Sequence, residues 1–302
     1  MRANGHTPWI KNCTEMVQQL CFSGRITEAL QFLNEMLKMG FLPDIVTYSA
    51  AMNGMCKTGE MDDALGLFRD ISSKYYLPDV VAHNILINGF RKSGKFDEAQ
   101  EIIEEMLNKG LFPSVVTYNL MIDIWCKSGR IEKAIACLNK MSDEEKPPTV
   151  VTYTSLIDGF CSAARPDEAI ALWCEMKEEG CAPNEIAYTA FVNGLCKCGR
   201  VETALNYYEE MMTKGFDLDI FSLLHFVNFL ISYGNASKGC ELLKEVLKND
   251  AIDSNNLKMA ALVNKAVEDL SKDGRTSSDI KILVDNGLLS RAQGIHNEDG
   301  SK

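Results

Sequence analysis

The sequence predicts an all-α fold, a right-handed superhelical solenoid built from 35-residue helix-turn-helix repeats. Three residue types recur at intervals of 35 residues, a period typical of stacked repeat proteins. The recurring residues are Ala29, Ala64, Ala99, Ala134, Ala169 and Ala204, then Pro43, Pro78, Pro113, Pro148 and Pro183, and Gly24, Gly59, Gly94, Gly129 and Gly199. Because each repeat contacts only its neighbours, function is expected along a surface and not in a single pocket.

One repeat, residues 115–149, shows how the chain is expected to fold. Apolar residues recur at helical spacing after Thr117, which is the predicted N-cap of a first helix. Gly129 ends this helix in a left-handed conformation. A second helix is predicted over about 131–141 and ends before two prolines. Each repeat is therefore predicted to be a helical hairpin.

The other periodic residues are assigned to packing. The alanines are expected where the two helices of a hairpin cross, because a small side chain lets the backbones approach. A methionine late in the second helix is expected to fill the seam between repeats. These methionines are Met36, Met106, Met141, Met176 and Met211. Cysteines at another fixed position are predicted to be buried packing residues in a reducing compartment. They are Cys21, Cys56, Cys126, Cys161 and Cys196.

The net charge is −11, which by itself argues against a nucleic-acid partner. Acidic residues crowd the second helices, however, and those helices are predicted to lie on the outer face. The position of the charge therefore matters more than its sum. No apolar run is long enough for a membrane span, and no targeting peptide is visible.

Two sets of blocks carry a family resemblance. Residues 115–119, 126–130 and 132–134 read VVTYN, CKSGR and EKA, and residues 150–154 and 167–169 repeat the pattern as VVTYT and DEA. Together with the step of 35, these blocks resemble the pentatricopeptide repeat family, in its P-class form. The six predicted repeats are 10–44, 45–79, 80–114, 115–149, 150–184 and 185–219.

Both ends depart from this pattern. Residues 220–289 are predicted to be degenerate repeats that form a C-terminal helical cap, with Gly239 in the alanine position and Leu224 in a position that is polar elsewhere. Residues 290–302 are predicted to be a disordered tail. Residues 1–9 match the C-terminal part of a preceding repeat, so an internal fragment or a truncated gene model is expected.

The resemblance implies binding of single-stranded RNA with one base for each repeat. The second residue of a repeat is implied to supply an apolar side chain that sandwiches the base. These residues are Val46, Val81, Val116, Val151 and Ile186. The fifth and last residues of a repeat, here called its reading pair, are implied to select the base.

The six reading pairs are Thr14 with Asp44, Ser49 with Asp79, Asn84 with Ser114, Asn119 with Thr149, Thr154 with Asn184, and Thr189 with Asp219. In the family's code, Thr or Ser with Asp favours guanine, Asn with Ser cytosine, Thr with Asn adenine, and Asn with Thr a pyrimidine. The implied preference is G-G-C-Y-A-G. The alternative is a helix cap plus a turn residue in each repeat. Polar residues at both positions of all six repeats favour base reading.

A row of lysines supports an RNA partner. Lys57, Lys92, Lys127 and Lys197 each lie eight residues after the fifth position, about two helical turns further on. These lysines are predicted to contact phosphates along one strand. The alternative is a favourable interaction with the helix dipole.

No catalytic activity is expected. A deaminase of the kind found in some relatives needs H-x-E followed by P-C-x-x-C. His296-Asn297-Glu298 has the first pattern, but no cysteine follows Cys240. No cofactor, metal or small-molecule substrate is predicted.

The resemblance suggests a role in an organelle, in transcript stabilisation, processing, splicing or translation. A mitochondrial location is favoured over the chloroplast, and other organellar RNA-processing proteins are expected as partners. Two alternatives stay open: an α-solenoid scaffold that binds proteins and no RNA, and a non-functional truncated copy. The reading pairs are polar in all six repeats, which favours RNA binding over the scaffold.

Overall fold

The computed structural model describes residues 10–74, 77–248 and 257–272. This part of the chain is all-α, with helices joined by short turns and no strand. The predicted repeat fragment at 1–9, the tail at 290–302 and the His296-Asn297-Glu298 motif lie outside the described residues. Among the helices described, none combines the length and the apolar character needed to cross a membrane.

The chain divides into two compact units, one up to Pro148 and one from Thr149 onward. The first unit contains α1 (Ile10–Phe22), α2 (Ile26–Lys38), α3 (Ile45–Thr58), α4 (Met61–Lys74), α5 (Val80–Lys92), α6 (Phe96–Asn108), α7 (Val115–Lys127) and α8 (Ile131–Asp143). The second contains α9 (Val150–Ser162), α10 (Pro166–Glu178), α11 (Glu185–Lys197), α12 (Val201–Thr213), α13 (Ile220–Ser232), α14 (Ala236–Lys248) and α15 (Leu257–Lys272).

Each repeat is a helical hairpin, as predicted. In the first unit the odd-numbered helices α1, α3, α5 and α7 pack side by side in a row, and each is paired with the helix that follows it. In the second unit α9, α11, α13 and α15 form a corresponding row. The odd-numbered helices of each unit therefore share one layer, on which residues at the same repeat position recur from helix to helix.

The predicted N-cap of the first helix is wrong by three residues. Helix α7 begins at Val115, and its N-cap is Ser114, the last residue of the preceding repeat. The Ser114 hydroxyl accepts from the Thr117 backbone N–H at 3.2 Å, and the Thr117 hydroxyl accepts from the Ser114 N–H at 3.0 Å. Thr117 and Ser114 thus form a reciprocal capping box, which satisfies two backbone donors at once.

The burial predicted for the periodic alanines, methionines and cysteines is confirmed. All six periodic alanines have no exposed surface, and the five seam methionines are buried. The five periodic cysteines are buried or half-buried. Burial raises the pKa of Cys161 and of Cys196 to about 12, so both thiols stay protonated at neutral pH. No disulfide joins any of the eleven cysteines, all of which the structure describes.

The C-terminal helices continue the packing beyond the sixth repeat. Leu224, in the position that is polar elsewhere, is fully buried in α13. The amide of Asn228 donates to the carbonyl oxygens of Leu224 at 2.9 Å and of Leu262 at 3.0 Å, which ties α13 to α15. The C-terminal cap over 220–289 stays a prediction, and its residues 249–256 and 273–289 lie outside the described residues.

The turn inside each hairpin requires a positive φ. Gly129 has φ 73°, but in the fifth repeat this position is Ala164, which has φ 56°. A side chain with a Cβ is disfavoured in the left-handed region. The left-handed conformation predicted for this position is therefore confirmed, and in the fifth repeat an alanine adopts it in place of a glycine.

We expect Ala164→Gly to raise the free energy of unfolding by about 0.5–1 kcal/mol, because relief of the left-handed strain exceeds the entropy cost of glycine. Chemical denaturation measures the change. The matched control is Ala163→Gly, where φ is −84°, and a loss of about 0.5 kcal/mol is expected there. Equal losses in both variants would contradict the assignment of strain to Ala164.

Candidate nucleic-acid interface

The last residue of every repeat caps the first helix that follows it. Its side chain accepts a hydrogen bond from the backbone N–H three residues later. The donor–acceptor distances are 2.8 Å for Asp44, 2.9 Å for Asp79, 3.2 Å for Ser114, 3.4 Å for Thr149, 2.9 Å for Asn184 and 3.0 Å for Asp219. Because Asp, Asn, Ser and Thr are the preferred N-caps, capping alone accounts for the polarity of this position. It does not account for the choice among the four types.

Capping leaves polar groups available at the same residue. Asn184 is exposed and uses its Oδ1 atom as the acceptor, so the cap leaves the two donors of its amide NH₂ unused. Asp79 is likewise exposed and caps through Oδ1. A residue at the last position can therefore cap a helix and still present a donor or acceptor to a ligand.

The two members of the first reading pair lie next to each other. The hydroxyls of Thr14 and Thr47 are 2.6 Å apart, and the Thr47 hydroxyl donates to Asp44 Oδ1 at 2.6 Å. The fifth residue on α1 and the last residue before α3 thus meet through one shared partner. The first reading pair is therefore one local polar cluster, although its members are 30 residues apart in sequence.

The fifth positions lie on the first helices, one turn inside the N-terminus. Thr14 is buried, and Ser49, Asn84, Asn119, Thr154 and Thr189 are half-buried. The Thr154 hydroxyl donates to the Val150 carbonyl at 2.6 Å. Asn84 Oδ1 is buried and accepts no hydrogen bond from any described residue. A buried acceptor without a donor is costly, so a ligand that supplies one would be favoured at this position.

The second positions carry a row of exposed aliphatic side chains. Val46, Val81, Val116, Val151 and Ile186 have between 53% and 72% of their surface exposed. Each is the second residue of its helix, two positions after the capping residue. A scattered exposed apolar residue needs no explanation, but here the same position is exposed in five consecutive repeats, three in the first unit and two in the second.

The lysine row is exposed, and two of its members have acidic neighbours. Lys127 Nζ lies 2.8 Å from Asp123 Oδ2, which Arg91 also contacts at 2.6 Å. Lys197 Nζ lies 3.8 Å from Asp158. The sequence analysis missed both carboxylates. Asp123 carries a recognisable signal, because it lies four residues before Lys127 on the same helix, whereas Asp158 lies on α9 and Lys197 on α11.

The other two lysines differ. Lys57 Nζ lies 4.7 Å from the ring centroid of Phe22, and Lys92 has no acidic partner among the described residues. The positive charge on the row is therefore strongest at Lys57 and Lys92.

His83 is a packing residue. It is fully buried and meets the edge of Phe68 at a centroid distance of 5.0 Å, and its Nδ1 lies 2.7 Å from the Asp79 carbonyl. Burial lowers its pKa, which keeps the imidazole neutral. Within the described ranges, no group of three or more His, Cys, Asp or Glu residues is placed to hold a metal ion.

Paired helices in register, with polar and apolar residues recurring at fixed positions, define a helical-repeat protein. A sequence profile of the PPR repeat family matches six overlapping stretches, and the chain belongs to this family. The matched stretches are 10–57, 43–92, 78–123, 113–162, 148–197 and 183–224. The comparison with curated proteins found no match.

Solved structures show the same fold. The pentatricopeptide repeat protein PPR10 from maize matches with a TM-score of 0.64 and 20% identity, over 97% of this chain and 46% of PPR10. PPR10 in complex with an 18-nt psaJ RNA element matches with a TM-score of 0.60 and 21% identity, over 97% of this chain and 47% of that one. A tetratricopeptide repeat protein from Parabacteroides merdae matches with a TM-score of 0.58 and 12% identity, over 85% of this chain and 98% of that one. The chain spans about half the length of PPR10.

Proposed function

We propose that the chain binds single-stranded RNA sequence-specifically, with one base for each of six repeats and without catalysis of its own. The observation that carries the proposal is the row of exposed aliphatic side chains at the second positions of repeats two to six, each of which also has a polar reading pair. Membership of the PPR repeat family and the structural likeness to RNA-bound PPR10 support it.

The physical argument starts from what an unpaired base needs. A base has two apolar faces and a polar edge, so it is held by an apolar contact on the face and hydrogen bonds at the edge. Val116 at the second position offers the first, and Asn119, one turn away on α7, offers the second. The same juxtaposition recurs in repeats two to six, whereas the second residue of the first repeat is Lys11. The six reading pairs give the proposed base preference G-G-C-Y-A-G.

In vitro selection tests this proposal. The purified chain is presented with a randomised RNA pool at low salt, and the retained sequences are determined. Enrichment of GGCYAG is the expected result. Retention of RNA without this motif would refute the code but keep RNA binding, and no retention at any salt concentration would favour a protein-binding scaffold or a non-functional copy.

We expect Lys92→Ala to weaken binding of all RNA sequences alike and to reduce the salt dependence by about one counterion. Lys127→Ala is expected to have a smaller effect, because Asp123 already neutralises part of its charge. Lys74→Ala on the second helix α4 serves as the control and should leave affinity unchanged. Filter binding between 50 and about 200 mM salt measures all three. A larger loss in Lys74→Ala than in Lys92→Ala would contradict the placement of the phosphates.

We further propose an organellar role, in transcript stabilisation, processing, splicing or translation, by occlusion of the bound RNA. A mitochondrial location is favoured, with the chloroplast as the alternative. Imaging of the fluorescently tagged protein with organelle markers tests the location. Recovery of other RNA-processing proteins with the tagged chain would support the expected protein partners.

A further inference from the structure

A cavity of about 200 Å³ opens between the first helices of repeats one and two, α1 and α3. These two helices also carry Thr14 and Ser49, the fifth residues of the first two repeats, but the cavity is lined by other residues. Helix α1 contributes Gln18, Cys21 and Phe22, and α3 contributes Asn53, Gly54 and Lys57. Binding sites for drug-sized ligands occupy about 300–1,000 Å³. This cavity is smaller, so its size suits a single flat ring.

Phe22 is the unusual residue of this cavity. It stands where Lys57, Lys92 and Lys127 stand in the next three repeats, and 76% of its surface is exposed. Little of the ring is therefore used for packing inside the protein. The Lys57 ammonium, 4.7 Å from the ring centroid, is its charged neighbour. Phe22 lines the cavity, and the Lys57 ammonium lies over one face of its ring.

The remaining lining groups supply complementary chemistry. Gln18 and Asn53 each carry an amide with donors and an acceptor, which suits the edge of a heterocycle. Lys57 supplies a cation. No carboxylate lines the cavity, although the chain as a whole has a net charge of −11. An aromatic ring with a polar edge and an attached anion matches all three features.

We propose that Phe22, Asn53 and Lys57 form a subsite for one nucleobase and its phosphate, separate from the six reading pairs. The base stacks on Phe22, its edge meets the amide of Asn53, and the phosphate contacts Lys57. The nucleotide is either one residue of a bound RNA strand or a free nucleotide. In the first case the subsite rests on the proposed function, and in the second it does not.

The strand arm of the test compares the hexamer GGCCAG with the same RNA extended by one adenosine at either end. Phe22→Ala is expected to weaken binding of one extended RNA by about tenfold and to leave the hexamer unchanged, since stacking on one base contributes about this much. Phe22→Tyr keeps the ring and should bind within about twofold of wild type. Phe112→Ala removes an aromatic ring that is 82% exposed but outside the cavity, and should change nothing.

The free-nucleotide arm uses adenosine monophosphate and saturation-transfer NMR. A free nucleotide is supported if magnetisation transfer from the protein to the adenine protons disappears in Phe22→Ala. In Lys57→Gln, the transfer should weaken for the monophosphate but not for adenosine. Transfer that persists unchanged in Phe22→Ala comes from elsewhere and counts against the subsite.

The outcomes separate the two proposals. RNA binding that is indifferent to Phe22, with no Phe22-dependent transfer to the monophosphate, overturns the subsite and leaves the proposed function intact. Phe22-dependent transfer to the monophosphate in a chain that retains no RNA supports the subsite and refutes the proposed function. If the chain binds no RNA and shows no Phe22-dependent transfer, both proposals are overturned.

Discussion

Replacing Trp173 by alanine is expected to lower the free energy of unfolding of the fifth and sixth repeats by about 3–5 kcal/mol. The indole is fully buried on α10 and stacks on Phe191 at a centroid distance of 4.4 Å. It also meets the edges of Tyr188 at 4.9 Å and Tyr207 at 5.7 Å. Removing it leaves a cavity at the seam where α10, α11 and α12 meet, and the surrounding rings can close it only in part.

Because each repeat depends on its neighbours, the loss should be local before it is global. Urea denaturation followed by circular dichroism gives the free energy, and native-state hydrogen exchange should show the largest loss of protection in α10, α11 and α12. Trp173→Phe keeps an aromatic ring and removes Nε1, which has no hydrogen-bond partner among the described residues, so it should cost less.

Phe112→Ala is the matched control for this experiment. Its ring is 82% exposed in the turn between α6 and α7, and the expected change is within about 0.5 kcal/mol. A loss in Trp173→Ala no larger than that in Phe112→Ala would mean that the aromatic cluster does not hold these repeats together.

The hairpin fold could be predicted because its signals are local and repeated. Gly129 ends one helix and Ala134 marks the crossing of the pair, and both recur at the same interval. The N-terminus of the first helix was misplaced, because Ser114 and Thr117 are both capping residue types at the required spacing. Only the backbone geometry shows that Ser114 is the N-cap, and that Thr117 lies inside the helix and accepts a hydrogen bond from the Ser114 N–H.

The residues of the candidate site could be predicted as rows but not as contacts. Sequence spacing places Val116 and Asn119 at equivalent positions of every repeat. It does not give the 2.6 Å contact between the Thr14 and Thr47 hydroxyls, or the position of Lys57 over Phe22. Both contacts join residues more than 30 positions apart on neighbouring helices, so they depend on how closely those helices pack. The same holds for the acceptor of Asn84, which the packing leaves without a donor.

Changing Thr154 to Asn together with Asn184 to Asp is expected to move the preference of the fifth repeat from adenine to uracil. Each base choice should contribute about 1–3 kcal/mol, by analogy with mismatches in DNA sites. The structure indicates that the fold tolerates the change. Asn184 caps α11 through Oδ1 at 2.9 Å from the Ala187 N–H, and Asp can accept the same bond. Thr154 loses only a bond to the Val150 carbonyl within its own helix.

Competition binding with RNAs that differ only at the fifth base measures the switch. Asn184→Asp alone is the informative control, because it creates a Thr and Asp pair, which the family's code assigns to guanine. Three proteins should thus prefer three different bases while α11 keeps an N-cap in all of them. If all three select the same base, the last residue of the repeat acts only as a helix cap, and the identity of the reading pair does not determine which nucleotide is bound.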